Sequence, residues 1–265
     1  MNPPAKHNEA YQPTTIEHIA NIITHGVDFY YDKSLITVFL IIFLDLKKSC
    51  VLPAAYATFV LVNRATNPTQ FWAAWIYGLA LIFLFGISAA FHSTCLCQKS
   101  RMREVLHRGD RAMIYIFIAS SYFPWLSLVP NAAKISAHTG HTSLSILPIF
   151  FSWMGVSSDL AADLRWTIWF LAAMGILYQQ IFHEKYKWLE TIIYVIIGLV
   201  PSVPFLHHNE FAGLWELKLG GACYIIGIFF FKMDGRIPLA HAIWHVFVAL
   251  GSAIHYFAVF NYLIG

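Results

Sequence analysis

Six stretches of this chain stay apolar for about the length that crosses a bilayer: Phe71 to Cys95, Ala112 to Val129, Trp166 to Phe182, Leu189 to Leu206, Leu219 to Phe231 and Leu239 to Leu263. The fifth is short by itself. In hydrocarbon each backbone N–H and C=O must find its partner within the segment, which restricts such runs to helices. Composition agrees: 58% of the 265 residues are hydrophobic and only 12% are charged, whereas soluble domains carry about a quarter charged residues. A soluble globular enzyme is excluded on that ground.

Ahead of the six runs, Ser34 to Val62 is apolar but broken by Asp45, Lys47 and Lys48, and reads as one further crossing. Leu144 to Val156 contains Pro148 and Gly155, is too short to span, and reads as a re-entrant or interfacial segment. The expected fold class is therefore an all-α integral membrane protein, a seven-transmembrane helix bundle forming one domain over residues 1–265. Residues 1–33 form a polar segment, partly interfacial, with no short cleavable signal peptide expected at its start. Cys50, Cys95, Cys97 and Cys223 show no disulfide framework.

Orientation follows from the loops. Lys99, Arg101, Arg103, Arg108 and Arg111 follow the second crossing, Lys185 and Lys187 the fourth, Lys232 and Arg236 the sixth. The alternate loops carry only Arg64, then Lys134 and Arg165, then Lys218. Excess Lys and Arg marks the cytosolic side, so the N-terminus is cytosolic too.

The last crossing opens on Pro238-Leu239-Ala240-His241-Ala242-Ile243-Trp244-His245, which stacks two imidazoles on one helix face at membrane depth. A polar side chain there is costly unless something binds it. Ser88 and His92, also four apart, close the second crossing at the same cytosolic level, and Asp110 stands at the start of the third. Three neutral imidazoles and a water make a tetrahedral zinc site with one open position, the arrangement of catalytic rather than structural zinc. Asp110 could orient a ligand or the water, and Ser88 could donate a hydrogen bond nearby. For each residue alone a plainer role exists: His92 could hydrogen-bond a neighbouring helix, and Asp110 could cap a helix beside Arg108 or Arg111. Convergence of all of them at one leaflet favours the metal.

Other histidines carry less. His207, His208, His138, His141 and His183 fall in polar loops, and His255 lies about 20 Å along the last helix from His241, where a core hydrogen bond suits it. Glu17, Asn21 and His25, each four residues after the last, form a polar stripe on a helix that Thr14 or Thr15 could cap. That stripe suits either an interfacial helix or a layer packed under the bundle near the metal.

The segment Glu17-His18-Ile19-Ala20-Asn21-Ile22-Ile23-Thr24-His25, the pair Ser88-x-x-x-His92, Asp110 and the pair His241-x-x-x-His245, in this order over seven crossings, resemble the progestin and adipoQ receptor family, which includes the haemolysin III proteins. Trp75-Ile76-Tyr77-Gly78, His183-Glu184-Lys185-Tyr186-Lys187 and Phe231-Lys232-x-Asp234-Gly235-x-Ile237-Pro238 further resemble its monocyte to macrophage differentiation factor branch. The likeness covers nearly the whole chain. Two segments lengthen it relative to that branch, Asp28 to Cys50 and Asn131 to Asp159. The resemblance implies a zinc ion on His92, His241 and His245, with Asp110 and Ser88 adjacent through water. It also implies kinship with alkaline ceramidases, zinc hydrolases of a lipid amide.

Two functions are expected from these readings: a receptor-like signalling protein with an intramembrane zinc site, or a zinc-dependent hydrolase of a lipid amide. Membrane lipid is the expected partner, with a lipid or sphingolipid ligand and a cytosolic signalling partner at the basic loops; no nucleic acid is expected. A channel finds no support, since no charged row lines successive crossings. The resemblance favours an endolysosomal or Golgi membrane, with the plasma membrane as the alternative.

Overall fold

The computed structural model describes residues 50–94, 101–128, 160–182, 185–202 and 213–265. Among them are seven α-helices: α1 Val51–Arg64, α2 Pro68–Thr94, α3 Arg101–Leu128, α4 Leu160–Ile181, α5 Lys187–Leu199, α6 Leu214–Lys232 and α7 Ala240–Tyr262. A 3-10 turn, Val200–Ser202, extends α5. Among the described residues, the six apolar runs lie largely on α2 to α7 in order; of Leu189 to Leu206 only the part to Ser202 is described. The segments 28–49 and 131–159, and the stripe Glu17, Asn21 and His25, lie outside the described residues.

Among the described residues three helices are apolar and long enough to cross a membrane: Pro68–His92, Leu214–Lys232 and Ala240–Tyr262, with mean hydropathies of 2.0, 1.5 and 1.6. α3 begins eleven residues before the apolar run read at Ala112, because Arg101 to Arg111 consists largely of residues that a helix accommodates well. That overturns the capping alternative for Asp110, which lies well inside α3. Arg108 bonds Glu104 and the Gln180 carbonyl, and Arg111 bonds Glu190 while its charge also acts on the Asp110 carboxyl.

Interhelical contacts fix which ends coincide. Gln70 Nε2 donates to the Leu263 carbonyl at 3.2 Å, the Arg64 guanidinium lies 4.1 Å over the Phe260 ring, and the Tyr262 hydroxyl donates to Glu216 at 3.0 Å. At the opposite end, His92 of α2 meets His245 of α7, Arg108 of α3 meets the Gln180 carbonyl of α4, and Arg111 meets Glu190 of α5. The Lys- and Arg-rich connections therefore share the histidine end.

Two apolar cores hold the bundle. One joins α1, α2, α3 and α7 through Leu61, Tyr77, Leu84, Phe117, Val248 and Val259. The other joins α3, α4, α5 and α6 through Tyr115, Trp125, Ile168, Tyr194 and Leu217. Close approach needs glycine at Gly220 on α6, where a β-carbon would overlap the His255 ring. His255 is buried there with Nε2 3.3 Å from the Leu217 carbonyl, the core hydrogen bond expected of it.

The outer surface carries many large apolar side chains. Phe59, Phe83, Phe170, Phe229 and Phe257 are all more than half exposed. Trp72, Trp166 and Trp215 are exposed near the starts of α2, α4 and α6, away from the histidine end, and Trp188 is exposed at the start of α5, on it. Indole rings favour the membrane–water boundary, so this surface suits a bilayer with one boundary at each end.

Candidate metal centre

α2 carries Ser88 and His92 on one face of its last turns, and α7 carries His241 and His245 one turn apart on its first two turns. The bundle brings three of the four together. The rings of His92 and His241 lie 5.2 Å apart, those of His92 and His245 also 5.2 Å, and those of His241 and His245 4.6 Å, inclined at 70°, 82° and 78°. Each pair is close to perpendicular, so the rings surround a point instead of stacking.

The nitrogens converge accordingly. His92 Nε2 and His245 Nε2 are 3.2 Å apart, and one ligand nitrogen from each of the three rings lies within 4.8 Å of the others. The 3.2 Å contact is a hydrogen bond between the two rings, and its length is also close to the roughly 3.3 Å that would separate two nitrogens on one tetrahedral zinc at about 2.0–2.1 Å. His92 and His245 are buried, at 2% and 5% exposure. His241 Nε2 is buried with no hydrogen-bond partner among the described residues. Among the described residues the donor set is three imidazoles with no thiolate, which suits a borderline cation such as zinc with a fourth tetrahedral position open.

Ser88 is buried one turn before His92. The Asp110 carboxyl has the Ser88 hydroxyl and the His241 ring as neighbours, with Arg111 beside it in sequence. The structure thus brings together His92, His241 and His245, with Ser88 and Asp110 adjoining. Glu17, Asn21 and His25 fall outside the described residues.

One neighbouring group was not singled out by the sequence. Arg111 grips Glu190 with two hydrogen bonds, Nε to Oε1 at 3.1 Å and Nη2 to Oε2 at 2.6 Å, and both side chains are buried. The Tyr194 hydroxyl lies 2.7 Å from Glu190 Oε1 and 3.1 Å from the Arg111 carbonyl. The available signal was a lone carboxylate one turn inside an apolar helix, in Lys187-Trp188-Leu189-Glu190-Thr191-Ile192.

Inward of the histidines lies a cavity of about 120 Å³, walled by α3, α5, α6 and α7 with Leu84 of α2. Phe117, Ile118, Leu217, Tyr224 and Val248 are among its lining side chains, and Phe231 and Trp244 close it toward the metal end. The Phe231 ring is 6.2 Å from that of His241. Such a lining accepts hydrocarbon, not a polar solute.

Known proteins are similar to this chain over most of its length. A model of the family described as Haemolysin-III related matches residues 14–256, a range that includes each site residue above. The chain is 37% identical over 266 aligned residues to the monocyte to macrophage differentiation factor of Homo sapiens, covering 99% of this chain and 91% of that protein. It is 28% identical to the Hemolysin-3 homolog of Bacillus subtilis (strain 168), over 95% of this chain and 96% of the other. With Hemolysin-3 of Bacillus cereus it shares 27% identity, over 94% and 92%.

Proposed function

Because the chain belongs to the haemolysin-III related family of membrane proteins, we propose that it is a receptor-like membrane protein that holds zinc on His92, His241 and His245 and takes the acyl chain of a lipid into the cavity beside them. It crosses the membrane seven times from a cytosolic N-terminus, with the metal near the cytosolic leaflet, and it resides in an endolysosomal or Golgi membrane. The observation that carries this reading is the convergence of three imidazole nitrogens within 4.8 Å of one another, His245 following directly on Trp244, which lines the apolar cavity. The basic residues of the same end, from Arg101 and Arg103 to Arg236, suit anionic lipid headgroups or an acidic signalling partner.

Elemental analysis of detergent-purified protein tests the metal directly. One zinc per chain in the wild type and none in His245→Ala is the expected result; a metal-free wild type removes the reading. Binding of a labelled sphingolipid, lost when the cavity is filled by Gly198→Trp, tests the lipid.

A second reading, a zinc-dependent lipid amide hydrolase, is favoured by the open fourth position and by Asp110 beside His241. Zinc bound there supplies a Lewis acid that polarises a carbonyl and acidifies a water. Asp110 is placed to accept a proton, Ser88 to donate a hydrogen bond, and the cavity to align an acyl chain. Labelled ceramide distinguishes the two readings. Turnover abolished in His245→Ala and lowered at least tenfold in Asp110→Asn supports the hydrolase; equal turnover in wild type and His245→Ala removes zinc catalysis.

A further inference from the structure

The motif Phe231-Lys232-x-Asp234-Gly235-x-Ile237-Pro238 has no role in the reading above, yet the connection it forms runs from the end of α6 straight to the first histidine of α7. The connection is built to a definite shape. Gly235 has φ of 76° and Leu239 has φ of 59°, both left-handed, and for leucine that conformation carries a steric penalty. The Arg236 and Ile237 N–H groups both donate to the Met233 carbonyl, and the Ala240 N–H to that of Ile237. These bends return Asp234 to the helix it precedes, where Oδ2 lies 3.2 Å from His241 Nδ1.

We propose that Asp234 is the positioning residue of the metal centre: its carboxylate holds the proton of His241 on Nδ1 and aims Nε2 at the metal. The proposal rests on the reading that the three imidazoles bind zinc. An ionised carboxylate can only accept a hydrogen bond, so the Nδ1 facing it is the protonated nitrogen and the lone pair is left on Nε2. That Nε2 is the buried nitrogen without a hydrogen-bond partner. A ligating histidine commonly donates its other N–H in this way, which fixes both tautomer and ring orientation.

His241 needs such a device more than its companions do. The rings of His92 and His245 are enclosed by the bundle, whereas the His241 side chain is 18% exposed on the second residue of its helix, with loop on one side. A carboxylate on Nδ1 fixes the orientation of its ring from the loop side. The αL geometry at Leu239 is then the local cost of bringing Asp234 within reach, seven residues ahead of the imidazole it holds.

The test uses the full chain in detergent, with zinc affinity measured by competition against a chromophoric chelator. Asp234→Ala and the nearly isosteric Asp234→Asn are each expected to weaken zinc binding 10- to 100-fold. In the latter the carboxamide can donate to Nδ1 and so favour the wrong tautomer; Asp234→Glu should recover part of the loss. Cobalt in place of zinc should show an altered d–d spectrum in the Ala and Asn variants. Affinities within twofold of wild type, with an unchanged cobalt spectrum, overturn the proposal while leaving the metal site standing. So does a fall in melting temperature that is equal with and without zinc, since that describes a loop contact only. Should Asp234→Ala fail to fold, Asp234→Asn decides. A wild type that binds no more zinc than His245→Ala fails at the earlier step, and the positioning role falls with it.

Discussion

Two polar clusters share one end of this bundle and solve the same problem in opposite ways. Around Arg111, a guanidinium, a carboxylate and a phenol satisfy one another: two charge-assisted hydrogen bonds to Glu190, with the Tyr194 hydroxyl bridging Glu190 and the Arg111 carbonyl. Around His245, three imidazoles turn nitrogens toward a common point, and the His92–His245 spacing of 3.2 Å is one that a shared cation would impose. The first cluster is complete within the protein. The second leaves His241 Nε2 buried without a hydrogen-bond partner among the described residues, an arrangement that could hold a cation. A polar group at membrane depth is either neutralised by its neighbours or kept for a ligand, and here the difference is visible in the chemistry of the partners.

Removing half of the closed cluster should do the most damage. Glu190→Ala leaves the buried Arg111 without its carboxylate and is expected to destabilise the fold by about 3–5 kcal/mol; thermal melts in detergent should show this equally with zinc and with chelator. Opening the other cluster has a different signature. Zinc at a hundred times its dissociation constant should stabilise the wild type by about 2.7 kcal/mol, and His245→Ala should abolish that increment while Glu190→Ala keeps it. If the increment disappears in both, the clusters are one coupled unit and the contrast fails.

His255 gives a control on the helix that bears His241 and His245. It is buried like His245 but bonded to the Leu217 carbonyl, so Gly220→Ala, which crowds its ring, should cost about 1–3 kcal/mol by overpacking alone. Zinc affinity should not change. The smallest effect is expected at Glu104, whose pairing with Arg108 is exposed and one helical turn long. Glu104→Ala should shift stability by no more than about 0.5 kcal/mol.

The open cluster was legible in the sequence and the closed one was not, for a physical reason. Ser88-x-x-x-His92 and His241-x-x-x-His245 announce themselves through helical spacing, and the basic loops assign them a common level without any knowledge of packing. Arg111 meets Glu190 across 79 residues of chain, and nothing in the local pattern of either residue selects the other. Arg111 reads in the sequence as one more positive charge of a basic loop, since the apolar run begins only at Ala112; the helix begins at Arg101, and that places Arg111 on a packed face. Asp234 was visible only as part of a motif. Its contact with His241 depends on left-handed backbone at Gly235 and Leu239, and leucine gives no local sign of that conformation. The helices themselves were legible because apolar runs of this length leave the backbone no other way to satisfy its hydrogen bonds.

The exposed tryptophans have a consequence for access. Trp72 lies near the start of α2 and His92 near its end, about 30 Å apart along the axis, which is the full hydrocarbon thickness. With Trp166 and Trp215 near helix starts at the same end as Trp72 and Trp188 at the other, the exposed indoles suit a bundle set at one height, like a float between two waterlines. On the proposed reading the metal then communicates with one aqueous phase only. In sealed vesicles an impermeant chelator should strip the metal from one face and leave it untouched from the other.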